Sequence, residues 1–154
     1  MPQDLESRVR AFLSSHYCIS LATTGPEGLW AASLMYVADG YDLYLFTRPN
    51  SRHGRNLGDE GHAAGTINAD DPTWPTLQGI QLEGTCTLLT ESEAKVRAFG
   101  LYLERYPGMK KMLGGGDDLR KMLESDPEHE MYRLRPDHLA FLDHTVSYER
   151  QTLF

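Results

Sequence analysis

The sequence predicts a mainly β protein with flanking helices, built as one small β-barrel domain. Three observations carry that prediction. Several short β-rich runs are separated by dense turn signals. The helical patterns are few and lie at the start and in the second half of the chain. The length is 154 residues, with 40% hydrophobic and 24% charged residues. That is one domain's worth of an ordinary soluble chain, able to bury a core without staples. Residues 1–154 are therefore read as one domain.

Leu5, Val9, Phe12 and Leu13 recur at helical spacing among charged residues, which predicts an amphipathic helix over about 3–15. Tyr17 to Thr24 is β-rich and ends in the turn formers Thr24-Gly25-Pro26-Glu27-Gly28. Leu29 to Ala38 follows as a second strand. Asp39-Gly40 is a tight-turn pair, and Tyr41 to Thr47 is a third strand. Pro49 excludes a central strand, and Asn50 or Ser51 is placed to cap a short helix. Residues 61–68 make a fourth strand. Gln78 to Leu89 makes a long fifth, after a polar loop with Pro72 and Pro75. Thr90-Glu91-Ser92-Glu93 has capping-box spacing and opens a helix to about Tyr106, with Ala94, Ala98, Leu101 and Tyr102 inward. Gly114-Gly115-Gly116 breaks the next segment, in which Asp117 to Leu123 suits a short helix. Met131 to Leu142 and Thr145 to Leu153 close the pattern as two strands.

Charge narrows the function classes. The 15 Lys and Arg face 22 Asp and Glu, a formal −7. No basic stripe is present, so nucleic acid is not an expected partner. Cys18 and Cys86 make neither a disulfide framework nor a zinc spacing, and Cys18, beside Tyr17, Ile19 and Leu21, reads as a small buried apolar residue. No apolar run approaches the ~18 residues of a membrane span, and the first residues carry no apolar signal segment. A cytoplasmic protein without a membrane partner is expected. No Gly-x-Ser-x-Gly elbow, P-loop or metal-ligand spacing occurs, so no catalytic residue and no metal ligand is assigned.

The informative stretch is Phe46-Thr47-Arg48-Pro49-Asn50-Ser51-Arg52-His53. A strand ends in a hydroxyl residue, a turn follows, and Ser-Arg-His opens a helix. A helix start offers unpaired N–H groups and a partial positive charge, and a guanidinium adds bidentate hydrogen bonds. Thr47, Ser51, Arg52 and His53 thus have the chemistry to surround one phosphate. The alternative is a solvated basic helix end with Ser51 as an ordinary cap.

The run Leu-Phe-Thr-x-x-x-Ser-Arg-His-x-x-x-Leu, Leu45 to Leu57, resembles the phosphate-binding stretch of the pyridoxamine phosphate oxidase-like FMN-binding split barrels, where Ser-Arg-Lys stands at Ser51 to His53. Gln78-Gly79-Ile80-Gln81-Leu82-Glu83-Gly84 is similar to that family's strand ending in Glu-Gly, and the strand order agrees. Within the superfamily the chain most resembles a small bacterial subgroup of little-characterised proteins. The resemblance implies a split β-barrel and a homodimer with FMN at the interface. It implies phosphate contacts from Thr47, Ser51, Arg52 and His53, and a ring lying along Ala31, Ala32, Ser33 and Leu34 beside Phe46. Trp74, in a stiff Pro-flanked loop, and Gln78 complete the expected cofactor contacts. The implied function is an FMN-dependent oxidoreductase acting on a small molecule. The alternatives are a module that holds flavin, deazaflavin or haem without turnover, and a dimeric barrel with a degenerate site acting through protein contacts. Ala31 stands where the oxidase has Arg, and Gly79 where it has Gln. The oxidase's C-terminal substrate segment has no counterpart, so pyridoxamine phosphate oxidation itself is not implied. His53 in place of Lys implies FMN binding that weakens as the imidazole loses its proton near ~6.5.

Overall fold

The computed structural model describes residues 3–154; Met1 and Pro2, which the single-domain expectation includes, lie outside them. Seven strands form one antiparallel sheet: β1 (Cys18–Gly25), β2 (Gly28–Asp39), β3 (Asp42–Thr47), β4 (Glu60–Asn68), β5 (Gln78–Leu88), β6 (Glu130–Asp143) and β7 (Ser147–Thr152). Their order is β3-β2-β1-β4-β5-β6-β7, and β3 also pairs with β6. That pairing closes a six-stranded barrel. The first half of β6 pairs with β3 and its second half with β7, while β5 runs along the other side. One long strand thus serves two neighbours on one edge, which splits the barrel.

Alternation explains the filling. In β1, Ile19, Leu21 and Thr23 point inward. Cys18 takes the opposite face and is exposed, which corrects the buried reading. Helix α1 (Leu5–Ser15) packs Val9, Phe12 and Leu13 into this core, and the Asp4 carboxylate caps it by accepting from Ser7 N at 2.7 Å. Strand β3 is buried on both faces. Leu43 and Leu45 face the barrel interior, while Tyr44 and Phe46 face a second cluster outside it. That cluster is built by α3 (Ser92–Arg105) and α5 (Leu119–Glu124), through Phe99, Tyr102, Leu103 and Met122. Fully burying a side chain of this size is worth roughly 1.5–3 kcal/mol each.

Three local readings change. Helix α3 is capped by Glu91, whose carboxylate accepts from Glu93 N and Ala94 N, not by a Thr90–Glu93 box. Its inner residues are Ala98, Phe99, Tyr102 and Leu103, with Ala94 and Leu101 only half-buried. The segment after Tyr106 holds a further helix, α4 (Pro107–Met112), opened by proline at its first position. No helix among the described residues is long and apolar enough to cross a membrane.

Candidate functional site

The turn Arg48–Ser51 and the short helix α2 (Arg52–Leu57) sit at the end of β3. Ser51 is the cap: its Oγ accepts from Gly54 N at 3.1 Å and donates to the Arg48 carbonyl at 2.6 Å. The first N–H groups of the helix, those of Arg52 and His53, have no partner within it. Thr47 and His53 are both buried, and Thr47 Oγ1 shares a 2.7 Å hydrogen bond with His53 Nε2. Arg52 reaches to the β1–β2 turn, donating through Nη2 to the Glu27 carbonyl (3.0 Å) and the Leu29 carbonyl (3.3 Å). Its guanidinium lies over the Trp30 ring at 4.4 Å. The Glu27 carboxylate is 3.5 Å from Nε without hydrogen-bond geometry, so Nε is buried and unpartnered. An unmet buried donor costs about 1–3 kcal/mol, which an incoming acceptor would lift. Sequence reading missed Glu27, a competing anion two strands away with no local signal.

Burial pushes the His53 imidazole below its ordinary 6.5. At neutral pH it is therefore uncharged, and it acts on Thr47 by hydrogen bonding. Between its lowered folded pKa and ~6.5 the unfolded chain binds the extra proton, so stability rises with pH in that window. The urea midpoint of the wild type is expected to fall from pH 7 to pH 5, and that of His53→Gln to fall less. Parallel pH profiles for the two proteins would remove His53 as the source.

The other predicted contacts fall in two places. Ala31, Ala32, Ser33 and Leu34 lie on β2, where residues 28–35 pair with β1 alone; β3 meets β2 only from Tyr36 onward. That stretch of β2 has a second edge without a partner strand among the described residues, and Ala31 and Ser33 are exposed on it. Phe46 is half-buried beside Thr47. Trp74 and Gln78 are elsewhere. Thr47 pairs with Glu130, whereas Gln78 pairs with Asp143, at the other end of the 14-residue β6. At about 3.3 Å per residue that is roughly 40 Å of strand. Gln78 donates to Asp143 at 3.1 Å. Trp74, 73% exposed, takes a 2.6 Å bond from the His144 ring on its carbonyl and stacks on Tyr148. Within the chain, neither Trp74 nor Gln78 is therefore brought to Thr47.

Among the described residues, no group of three or more His, Cys, Asp or Glu side chains is placed to hold a metal. The donor set at α2 is instead an anion set: hydroxyl, guanidinium and free N–H groups. The family model described as pyridoxamine 5'-phosphate oxidase matches residues 5–142. The chain belongs to that family. A UPF0306 protein of Klebsiella pneumoniae is 25% identical, over 96% of this chain and 91% of the relative. Among solved structures, the conserved hypothetical protein Rv2991 of Mycobacterium tuberculosis superposes with a TM-score of 0.73 at 24% identity, covering 94% of this chain and 91% of that one. A haem-binding protein of Mycobacterium smegmatis superposes at 0.76 with 19% identity, covering 99% and 59%. Neighbours in the family are split barrels, as this chain is.

Proposed function

We propose that this family member is a homodimeric FMN-binding protein and an oxidoreductase acting on a small molecule. The observation that carries the reading is the juxtaposition at the end of β3. Ser51, the start of α2 and the unpartnered Arg52 Nε meet close to a strand edge lined by the small Ala31 and Ser33. Ser51, Arg52 and the first N–H groups of α2 bind the phosphate. Thr47, whose hydroxyl is held by His53, stands at the end of β3 from which this turn and helix start. The exposed edge of β2 at Ala31–Leu34 takes the flavin ring beside Phe46, with backbone groups as its polar contacts. FMN, when bound, supplies the electron transfer. The protein binds it, orients it and shields one face from water. Trp74 and Gln78 lie too far from this site to join it within one chain; in the proposed dimer they would have to come from the second subunit.

The test is FMN titration followed by the flavin spectrum, with riboflavin as the phosphate-free control. Wild-type protein is expected to bind FMN more tightly than riboflavin. Arg52→Ala should weaken FMN about 10- to 100-fold, the worth of hydrogen bonds to a charged group, and leave riboflavin unchanged. Absence of FMN binding by the wild type between pH 6 and pH 8 would overturn the reading. The likeness to a haem-binding protein favours a second reading, a module that holds haem without turnover. It requires a Soret band on adding haem, and no flavin spectrum on adding FMN.

A further inference from the structure

A second cleft lies outside the barrel, between the α3–α4 corner and the outer face of β2 and β3. Its volume is about 600 Å³, within the range of small-molecule sites. Its walls come from Met35 and Phe46 on the barrel and from Tyr102, Tyr106 and Met109 on the helices. Pro107 ends α3 and starts α4, so the chain turns and overhangs the sheet. Tyr106 pins that corner: its hydroxyl donates to the Tyr36 carbonyl and to the Tyr17 carbonyl. The walls are thus fixed before any ligand arrives. They are largely aromatic, and His129 stacks on Phe46 with ring centroids 5.2 Å apart. Methionine adds soft, adaptable contacts to flat rings.

Besides Tyr106 and His129, three polar side chains line this apolar space. Tyr102 is only 4% exposed, and its hydroxyl makes no hydrogen bond among the described residues. Arg105 rests on the Tyr17 ring at 4.0 Å and donates to the His16 carbonyl at 3.2 Å, with no carboxylate partner among the described residues. Asp126 is the opposing charge, but it is occupied by His129 Nδ1 (3.0 Å) and by the N–H groups of Glu128 and His129. A cation with no paired anion, and beside it a hydroxyl that makes no hydrogen bond to the protein, suit an acceptor entering the cleft. Aromatic walls call for a flat apolar body.

We propose that this cleft binds a planar aromatic molecule of two or three rings carrying one carboxylate, which Arg105 and Tyr102 receive. The site needs neither Ser51 nor Arg52, but it shares Phe46 with the flavin contacts proposed above, so competition by FMN must separate the two. The probe is 2-naphthoate, with neutral 2-naphthylmethanol as control, titrated calorimetrically into the full chain. One naphthoate per chain is expected, bound at least about tenfold more tightly than the alcohol, as a charge-assisted hydrogen bond allows. Arg105→Gln should bring naphthoate down to the alcohol's affinity, Arg105→Lys should keep part of the gain, and Tyr102→Phe should weaken naphthoate several-fold. Arg52→Ala should bind naphthoate as the wild type does. Because Arg105 also packs on Tyr17, the isosteric Tyr102→Phe carries the test if Arg105→Gln does not fold. Equal binding of acid and alcohol, no saturation, or an unchanged affinity in Tyr102→Phe and Arg105→Gln would overturn the proposal. So would displacement of naphthoate by FMN, which would make the cleft part of the flavin site.

Discussion

Replacing Asp143 with alanine is expected to lower the unfolding free energy by about 3–5 kcal/mol, the cost of stranding a buried charge. Asp143 is 3% exposed and accepts four hydrogen bonds. They come from Arg8 Nη1 (2.6 Å), Gln78 Nε2 (3.1 Å), Thr145 N (3.1 Å) and Thr145 Oγ1 (2.5 Å). Arg8 also donates to Gln151 on β7 at 2.6 Å, and its Nε is buried without a partner. One carboxylate therefore fastens α1, the start of β5 and the β6–β7 turn. Alanine would leave a guanidinium side chain, only 15% exposed, with no counter-charge. Removing both charges, as in Arg8→Met with Asp143→Leu, is expected to recover most of the loss, because an apolar pair of similar volume is often as stable. Burial alone would raise the Asp143 carboxyl, but the bonds from Thr145, Arg8 and Gln78 outweigh it and hold it below 3.8. Its contribution is complete above the ordinary carboxylate range and is lost as pH falls through the lowered folded value. Urea unfolding of the wild type and the two variants at pH 7 and at pH 2.5, below the ordinary carboxylate range, checks this. A double variant no more stable than Asp143→Ala would show that burial of charge is not the cause.

The strands were legible because their faces differ. In β1 the residues that alternate with Ile19, Leu21 and Thr23 are small or polar, and strict period-two counting puts Cys18 with Ser20 outside. Reading Cys18 by its apolar neighbours instead of by parity produced the error. Helix α4 lies in the segment that Gly114-Gly115-Gly116 breaks in the sequence pattern, whereas Pro107 is a start signal once the chain has turned. The Thr90–Glu93 spacing was real, but the longer Glu91 side chain reaches two N–H groups from one position and displaces it. For the site, the local run Thr47 to His53 was legible as an anion-binding pattern. The burial of His53 was not, since its neighbours Arg52, Gly54 and Arg55 give no apolar signal. Gln78 was legible as a polar strand start. Its partner Asp143 lies 65 residues on and has no local trace. The cleft around Tyr102 and Arg105 needed the α3–α4 corner, which sequence periodicity did not supply.

Gly54→Ala tests whether α2 is held by backbone contact, and it runs against the usual sign. In a helix, alanine is favoured over glycine by about 1 kcal/mol. Gly54, however, is buried against the preceding turn. A Cβ there would lie 2.5 Å from the Pro49 carbonyl oxygen and would also strike that of Arg48. Both obstacles are backbone, so no side-chain rotation relieves them. The helix must move outward, which breaks the Thr47–His53 bond and the Ser51 cap together. A loss of about 3 kcal/mol is expected, the upper part of the range for forced overpacking, accompanied by loss of FMN affinity in protein kept folded at low temperature. Gly58→Ala separates this from a general glycine effect. Gly58 follows the helix at φ +62° and ψ −146°, a conformation essentially restricted to glycine, and a Cβ there would meet nothing within 4 Å, so alanine costs about 1–3 kcal/mol of backbone strain. FMN affinity should survive that change. A Gly54→Ala protein as stable as the wild type would mean that α2 can shift freely, and the phosphate site would then lack the rigid support on which its reading depends.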